Sequence, residues 1–320
     1  MNEKFGKGNG KDDDANRYVE SPSSSSSSSE SDSNYMSDMN QMYFVHCPPP
    51  TITVYGNYAI NRFRKEEKKR MLDPNYRINV QKEIEEGDRN NLVLWMLSVS
   101  SELEASDAAI FLAVKIFDYL LSKVEISRDN LKIYAPCALL IAIKSEDIEH
   151  MQILERLCPL SVNVEDQELR DLEISVFKII DYNVIFSTVY IFMTYYIDKC
   201  ETLQRDKFYN IVRFFAFSAV STYNCSFYFD SETIAISCVL LGALVLKEKH
   251  SFSDILPNFP NLKECTEIIL NASRDVLFYK YSNELKPYFV AISKELNDFL
   301  AENHIKEENG DFVNNVFNGL

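Results

Sequence analysis

The chain is 320 residues long, 46% hydrophobic and 25% charged, with a formal net charge of −15; that supports a sizeable core and, on length alone, about two domains. So acidic a chain is a poor candidate for binding nucleic acid, which draws on Lys and Arg against phosphates. Of its 8 glycines only Gly87 and Gly242 fall between Asn57 and Asn309, too few for a phosphate-cradling loop or for the tight turns of a sheet protein, so the body reads as helical.

Residues 1–50 read as a disordered acidic, Ser-rich tail. They contain a serine run at 23–29 flanked by Glu30 and Asp32 and end in Pro48, Pro49 and Pro50. Such a segment has too little apolar area to offset its ordering entropy. It is either a passive spacer or a site of phosphorylation. Residues 51–88 form an N-terminal helical segment with one basic cluster: Arg62, Arg64, Lys65, Lys68, Lys69 and Arg70. The cluster is a solvated helix face, a partner contact or a nuclear import signal.

Leu92, Trp95, Met96, Val99 and Leu103 then repeat at helical spacing, as do Ile110, Val114, Phe117 and Leu121. Ser127 can cap a third helix over 129–144, whose centre at 135–143 is apolar nearly all round. A helix apolar on every face must be enclosed by other protein. Ile153, Leu154 and Leu157 mark a short fourth helix, and Leu169, Leu172, Val176, Ile179 and Ile180 mark a fifth over 165–180. The pattern then recurs. Amphipathic helices are expected over 188–199 and 206–222. Asp230 and Ser231 cap a second enclosed helix over 233–246, a short helix follows near Ser253, and a longer one covers 262–280. The expected fold is therefore all-α, with two consecutive five-helix bundles, each built around its third helix.

The odd number of cysteines, 7, without a C-x-x-C pair, reads as free, buried thiols of a reducing compartment. His46, His150, His250 and His304 have no ligand spacing, so no metal site and no cofactor is expected. The N-terminus lacks an apolar signal region, and the longest apolar stretch, 234–246, is too short for a bilayer. The expectation is an intracellular protein, nuclear or cytoplasmic, with no membrane contact.

Several runs resemble the cyclin family, in order, over about residues 55 to 290. Tyr76, Gln81 and the stretch Arg89-Asn90-Asn91-Leu92-Val93-Leu94-Trp95 resemble the entry to a cyclin box. Phe117-Asp118-Tyr119-Leu120-Leu121-Ser122 is similar to the family's Asp-Arg-Phe-Leu-Ser, and Ile141-Ala142-Ile143-Lys144-Ser145-Glu146 to its Ala-Ser-Lys-x-Glu-Glu. Leu172-Glu173 stands where the family has Met-Glu. Ser231-Glu232-Thr233-Ile234 and Lys280-Tyr281-Ser282 resemble the opening and end of a second cyclin fold. Val80 to Ile84 and Trp95-Met96-Leu97 lean toward G1-type cyclins, and the Lys280 run toward mitotic A- or B-type ones.

The resemblance implies a first cyclin box over 89–185, a second cyclin fold over 186–290 and a C-terminal tail over 291–320. It implies a non-catalytic regulatory subunit that binds and activates a cyclin-dependent Ser/Thr protein kinase during cell-cycle progression. Arg89 and Asp118 would form a half-buried internal ion pair. Lys144 and Glu173 would hydrogen-bond to kinase backbone; read without the family, they are a helix-end cation and a solvated carboxylate. Leu92 and Trp95 would remain of a substrate-docking patch weakened by Asp88 and Asn91. The alternative is a cyclin-fold transcription or scaffold factor that activates no kinase. A DNA-binding version needs a basic second fold, and the helix over 206–222 offers only Lys207 and Arg213.

Overall fold

A computed structural model describes residues 56–100, 102–147, 152–161, 164–248, 258–275, 295–296 and 298–300. All regular structure among them is helical. The Ser-rich tail, the short helix near Ser253, the Lys280 run and the four histidines lie outside the described residues.

Helix α1 (Gly56–Lys69) and the one-turn α2 (Tyr76–Asn79) precede α3 (Glu86–Ser100), α4 (Asp107–Lys123) and α5 (Arg128–Glu146). A short α6 (Ile153–Leu157) with a trailing 3-10 turn leads into α7 (Asp166–Ile179). Capping fixes several of the starts. The Ser106 and Ser127 hydroxyls accept the backbone N–H groups of Ala109 and Asn130, and the Glu165 N–H donates to Glu168 at 3.3 Å. Helix α5 packs against α3, α4, α6 and α7; its residues 135 and 137–143 are at most 1% exposed and Pro136 is buried with them, the enclosure their all-round apolar sequence requires.

Helices α8 (Val189–Ile197), α9 (Arg205–Ser221), the short α10 (Tyr223–Tyr228), α11 (Ser231–Leu246) and α12 (Leu262–Asp275) follow. Helix α11 packs on α8, α9 and α12, with Asp230 accepting the Thr233 N–H at 2.7 Å as its cap. Gly242 lets α9 approach closely: a Cβ there would meet Val212 Cγ2 at 2.6 Å and Phe208 Cε2 at 3.1 Å. Helix α10 was not anticipated, since six residues are too few to show a helical period. Helix α8 is not amphipathic as expected; seven of its nine residues are buried. Leu103, expected on the same helix as Leu92 and Trp95, lies beyond the end of α3 yet is fully buried.

The two enclosed helices share one continuous hydrophobic core. Helix α4 meets α8, and α3 meets α9 and α10. Helix α1 ties these parts together. Arg64 donates from Nε and Nη2 to both oxygens of Glu232 on α11, at 2.7 and 2.5 Å. Glu67 Oε1 accepts from the Ser231 N–H at the α11 N-terminus (2.9 Å) and from Lys115 Nζ on α4 (3.1 Å). A carboxylate at that helix end meets the positive pole of the macrodipole. The solvated-face reading of the basic cluster fails at Arg64, which is spent on Glu232, and at Arg70, whose guanidinium donates to the Asn183 and Ile180 carbonyls.

Candidate functional site

Lys144 lies in the last turn of α5, and Glu173 sits on α7, which packs against α5. Asp147, the C-cap of α5, accepts the Ser106 N–H from the start of α4 at 2.9 Å, which anchors the end of the helix. The structure brings Lys144 and Glu173 together. Lys144 Nζ donates to both carboxylate oxygens at 2.8 Å, with 42% of the lysine side chain and 15% of the glutamate's exposed. An ion pair open to water contributes only about 0–1 kcal/mol, so it opens at little cost. Lysine keeps one further N–H donor, and the carboxylate keeps lone pairs.

The residues that follow Lys144 line a cleft of about 510 Å³. One wall is Tyr58, Ala59 and Phe63 of α1, the floor includes Leu112 of α4, and the other wall is Val184, Ile185 and Phe186. Ser145 and Glu146 stand at its rim. Tyr58 and Ile185 remain open to water, as do Ile174 and Tyr182 close to Glu173 in sequence. Desolvation at the rim, reinforced by the charge of neighbouring Asp147, raises the Glu146 carboxyl above the usual carboxylate range. The sequence reading missed this groove, because its walls come from segments more than a hundred residues apart. The apolar run 184–186 was its only local signal.

Arg89 and Asp118 form a pair of a different kind. Arg89 Nε and Nη2 donate to Asp118 Oδ1 and Oδ2 at 2.9 and 2.7 Å, with side chains 0% and 1% exposed. The pair is fully buried, where half-burial was expected. Arg89 Nη2 also donates to the Ser226 hydroxyl of α10 at 2.9 Å, which joins the first helical group to the second. Nearby, Gln81 stands in for backbone. Its amide donates to the carbonyls of Leu121 and Val124, and its oxygen accepts the Ile126 N–H.

Leu92 and Trp95 on α3 are half-buried against the core. The Trp95 indole N–H donates to the Leu160 carbonyl at 3.4 Å. One turn before Leu92, Asp88 pairs with Arg128 at 2.8 Å, a polar edge beside the expected docking patch. Arg213, a cation weighed for nucleic acid, is buried and donates to Asp107 at 2.6 Å. Among the described residues no group of His, Cys, Asp or Glu is arranged to hold a metal ion, and no helix is long and apolar enough to cross a membrane.

Residues 59–185 match the cyclin N-terminal domain, the stretch that carries both ion pairs and all of the groove's two walls but Tyr58 and Phe186. That stretch of the chain is a cyclin N-terminal domain. It is 26% identical over 157 residues to the G2/mitotic-specific cyclin-A of Drosophila melanogaster, covering 49% of this chain and 32% of that one. It is likewise 26% identical over 168 residues to Cyclin-B2-1 of Oryza sativa subsp. japonica, covering 52% and 39%. The matches thus span less than half the length of these relatives. Among solved structures, a viral cyclin from herpesvirus saimiri superposes with a TM-score of 0.59 at 16% identity, over 68% of this chain and 98% of that one. A chain of the yeast RNA Pol II CTD kinase CTDK-1 complex superposes with a TM-score of 0.50 at 11% identity, over 64% and 71%. At these identities the likeness concerns the fold.

Proposed function

We propose that the chain is the regulatory subunit of a cyclin-dependent Ser/Thr protein kinase, acting in cell-cycle progression, and that it binds the kinase through Lys144, Glu173 and the adjoining groove. The observation that carries this reading is the Lys144–Glu173 pair: two opposite charges held together at the surface, the lysine open to water, beside an exposed apolar groove. The cyclin N-terminal domain and the cyclin fold support it.

A protein kinase is active when its C-helix glutamate pairs with a strand lysine and its activation segment is ordered. A rigid helical face that fits only that arrangement shifts the population toward it, and reversing a 1:99 equilibrium needs about 5.5 kcal/mol of differential binding. The groove supplies apolar area for that difference. Lys144 donates to exposed kinase carbonyls, and Glu173 accepts from free amides; the charges strengthen both bonds. The chain contributes surface and no catalytic group.

The test is the double variant Lys144→Ala with Glu173→Ala, assayed for binding and activation of a purified cyclin-dependent kinase that the wild-type chain activates. The expected outcome is a correctly folded variant whose affinity falls at least about tenfold, or ~1.4 kcal/mol. Full activation by a folded double variant would end this assignment.

A further inference from the structure

Arg70 follows the last residue of α1, and its guanidinium reaches the far end of α7. Nη1 donates to the Asn183 carbonyl at 2.8 Å and Nη2 to the Ile180 carbonyl at 3.3 Å. The same group lies 4.3 Å from the ring centroid of Phe186 and 5.9 Å from that of Tyr119. One side chain thus combines a planar fork and aromatic stacking, a set of contacts lysine cannot reproduce.

The segment it grips is a demanding one. Helix α7 closes with the Tyr182 N–H donating to the Phe177 carbonyl at 2.7 Å and the Asp181 N–H to the Lys178 carbonyl at 3.2 Å. That closure needs a left-handed residue, usually glycine. Here both Asp181 (φ 54°) and Tyr182 (φ 53°) are left-handed, and neither is glycine. Backbone of this kind persists only where its surroundings over-determine it, and it clusters at binding sites. Past Asn183, the residues Val184, Ile185 and Phe186 are one wall of the groove, and α1 is the other.

We infer that Arg70 is a positioning residue for the groove: it holds the 184–186 wall at a set distance from α1 and so determines what the groove accepts. A second strut, the Ser187 hydroxyl donating to the Phe63 carbonyl at 2.6 Å, lies at the inner end of the same wall. That strut preserves the course of the chain when Arg70 is replaced, while the 180–186 turn loses its clamp. This inference rests on the groove being the kinase contact.

The test uses full-length chains carrying Arg70→Gln, Arg70→Lys or Arg64→Gln. The last severs the Glu232 contact of α1 but replaces no residue that lines the groove, which controls for loss of stability. Amide hydrogen exchange is read on the chain alone, and affinity is read with a purified cyclin-dependent kinase that wild type activates. Arg70→Gln is expected to raise exchange about tenfold at residues 182–186, leave the centre of α5 protected, and weaken the kinase complex by a similar factor. Arg70→Lys should rescue only part of either effect, and Arg64→Gln neither. Wild-type exchange at 182–186 in Arg70→Gln overturns the inference, as does faster exchange with undiminished kinase affinity. The two readings fail differently: an unchanged exchange profile removes the role of Arg70 alone, whereas full activation by the Lys144, Glu173 double variant removes the kinase contact.

Discussion

The Arg89–Asp118 and Lys144–Glu173 pairs are both bidentate contacts between helices of the first helical group, and burial makes them opposites. The first has no solvent access, and the guanidinium is divided among Asp118, Ser226 and Asn90. It cannot serve a partner without leaving an uncompensated charge in the core. The second is open to water on its lysine, with Glu173 half-buried at the surface, and less energy is lost when its groups turn to another molecule. A buried pair fixes how helices meet, and an exposed one remains available for exchange.

Four variants would break or sharpen that contrast. Removing one member of the buried pair, Asp118→Ala, should cost about 3–5 kcal/mol, because Arg89 is left charged and enclosed; urea unfolding of wild type and variant measures it. A loss under 1 kcal/mol would mean that water reaches the site. Gly242→Ala tests the packing around the second enclosed helix. Its Cβ would press on Val212 at 2.6 Å, so about 1–3 kcal/mol of overpacking should outweigh the gain in helix propensity, visible as a lower Tm.

For the exposed pair, the charge swap Lys144→Glu with Glu173→Lys preserves the salt bridge with reversed polarity. Its stability should stay within ~1 kcal/mol of wild type while kinase binding is lost, as a thermal melt beside a binding titration would show. The smallest effect is expected at the groove rim. Because the folded-state carboxyl of Glu146 is raised, its contribution is fully present in acid and is lost as pH rises through that raised value. Glu146→Gln should therefore gain Tm slightly relative to wild type on going from acid to neutral pH. A constant difference across that range would contradict the shift.

Much of the architecture was legible in the chain because it follows from local pattern. The two all-round apolar stretches could only be enclosed helices, and Ser127 and Asp230 cap them as their positions suggest. Amphipathic spacing located α3, α4 and α7 to within a few residues, except that Leu103 lies past the end of α3. What failed was either too short for periodicity, like α10, or settled by distant partners. Arg64 and Arg70 look like any other members of a basic run, yet their partners stand 168 and 110 to 113 residues away.

By itself, then, the order of residues determined that the described body is helical, with two enclosed helices, and that residues 59–185 are a cyclin N-terminal domain, since burial of an apolar stripe is dictated by its own period. Only the tertiary structure decided that Lys144 and Glu173 meet at one surface, that Arg89 is wholly withdrawn from water, and that α1 forms a groove wall clamped by Arg70. Those outcomes depend on which side chains from remote segments share a low-dielectric space and which stay wet, and no local spacing encodes that.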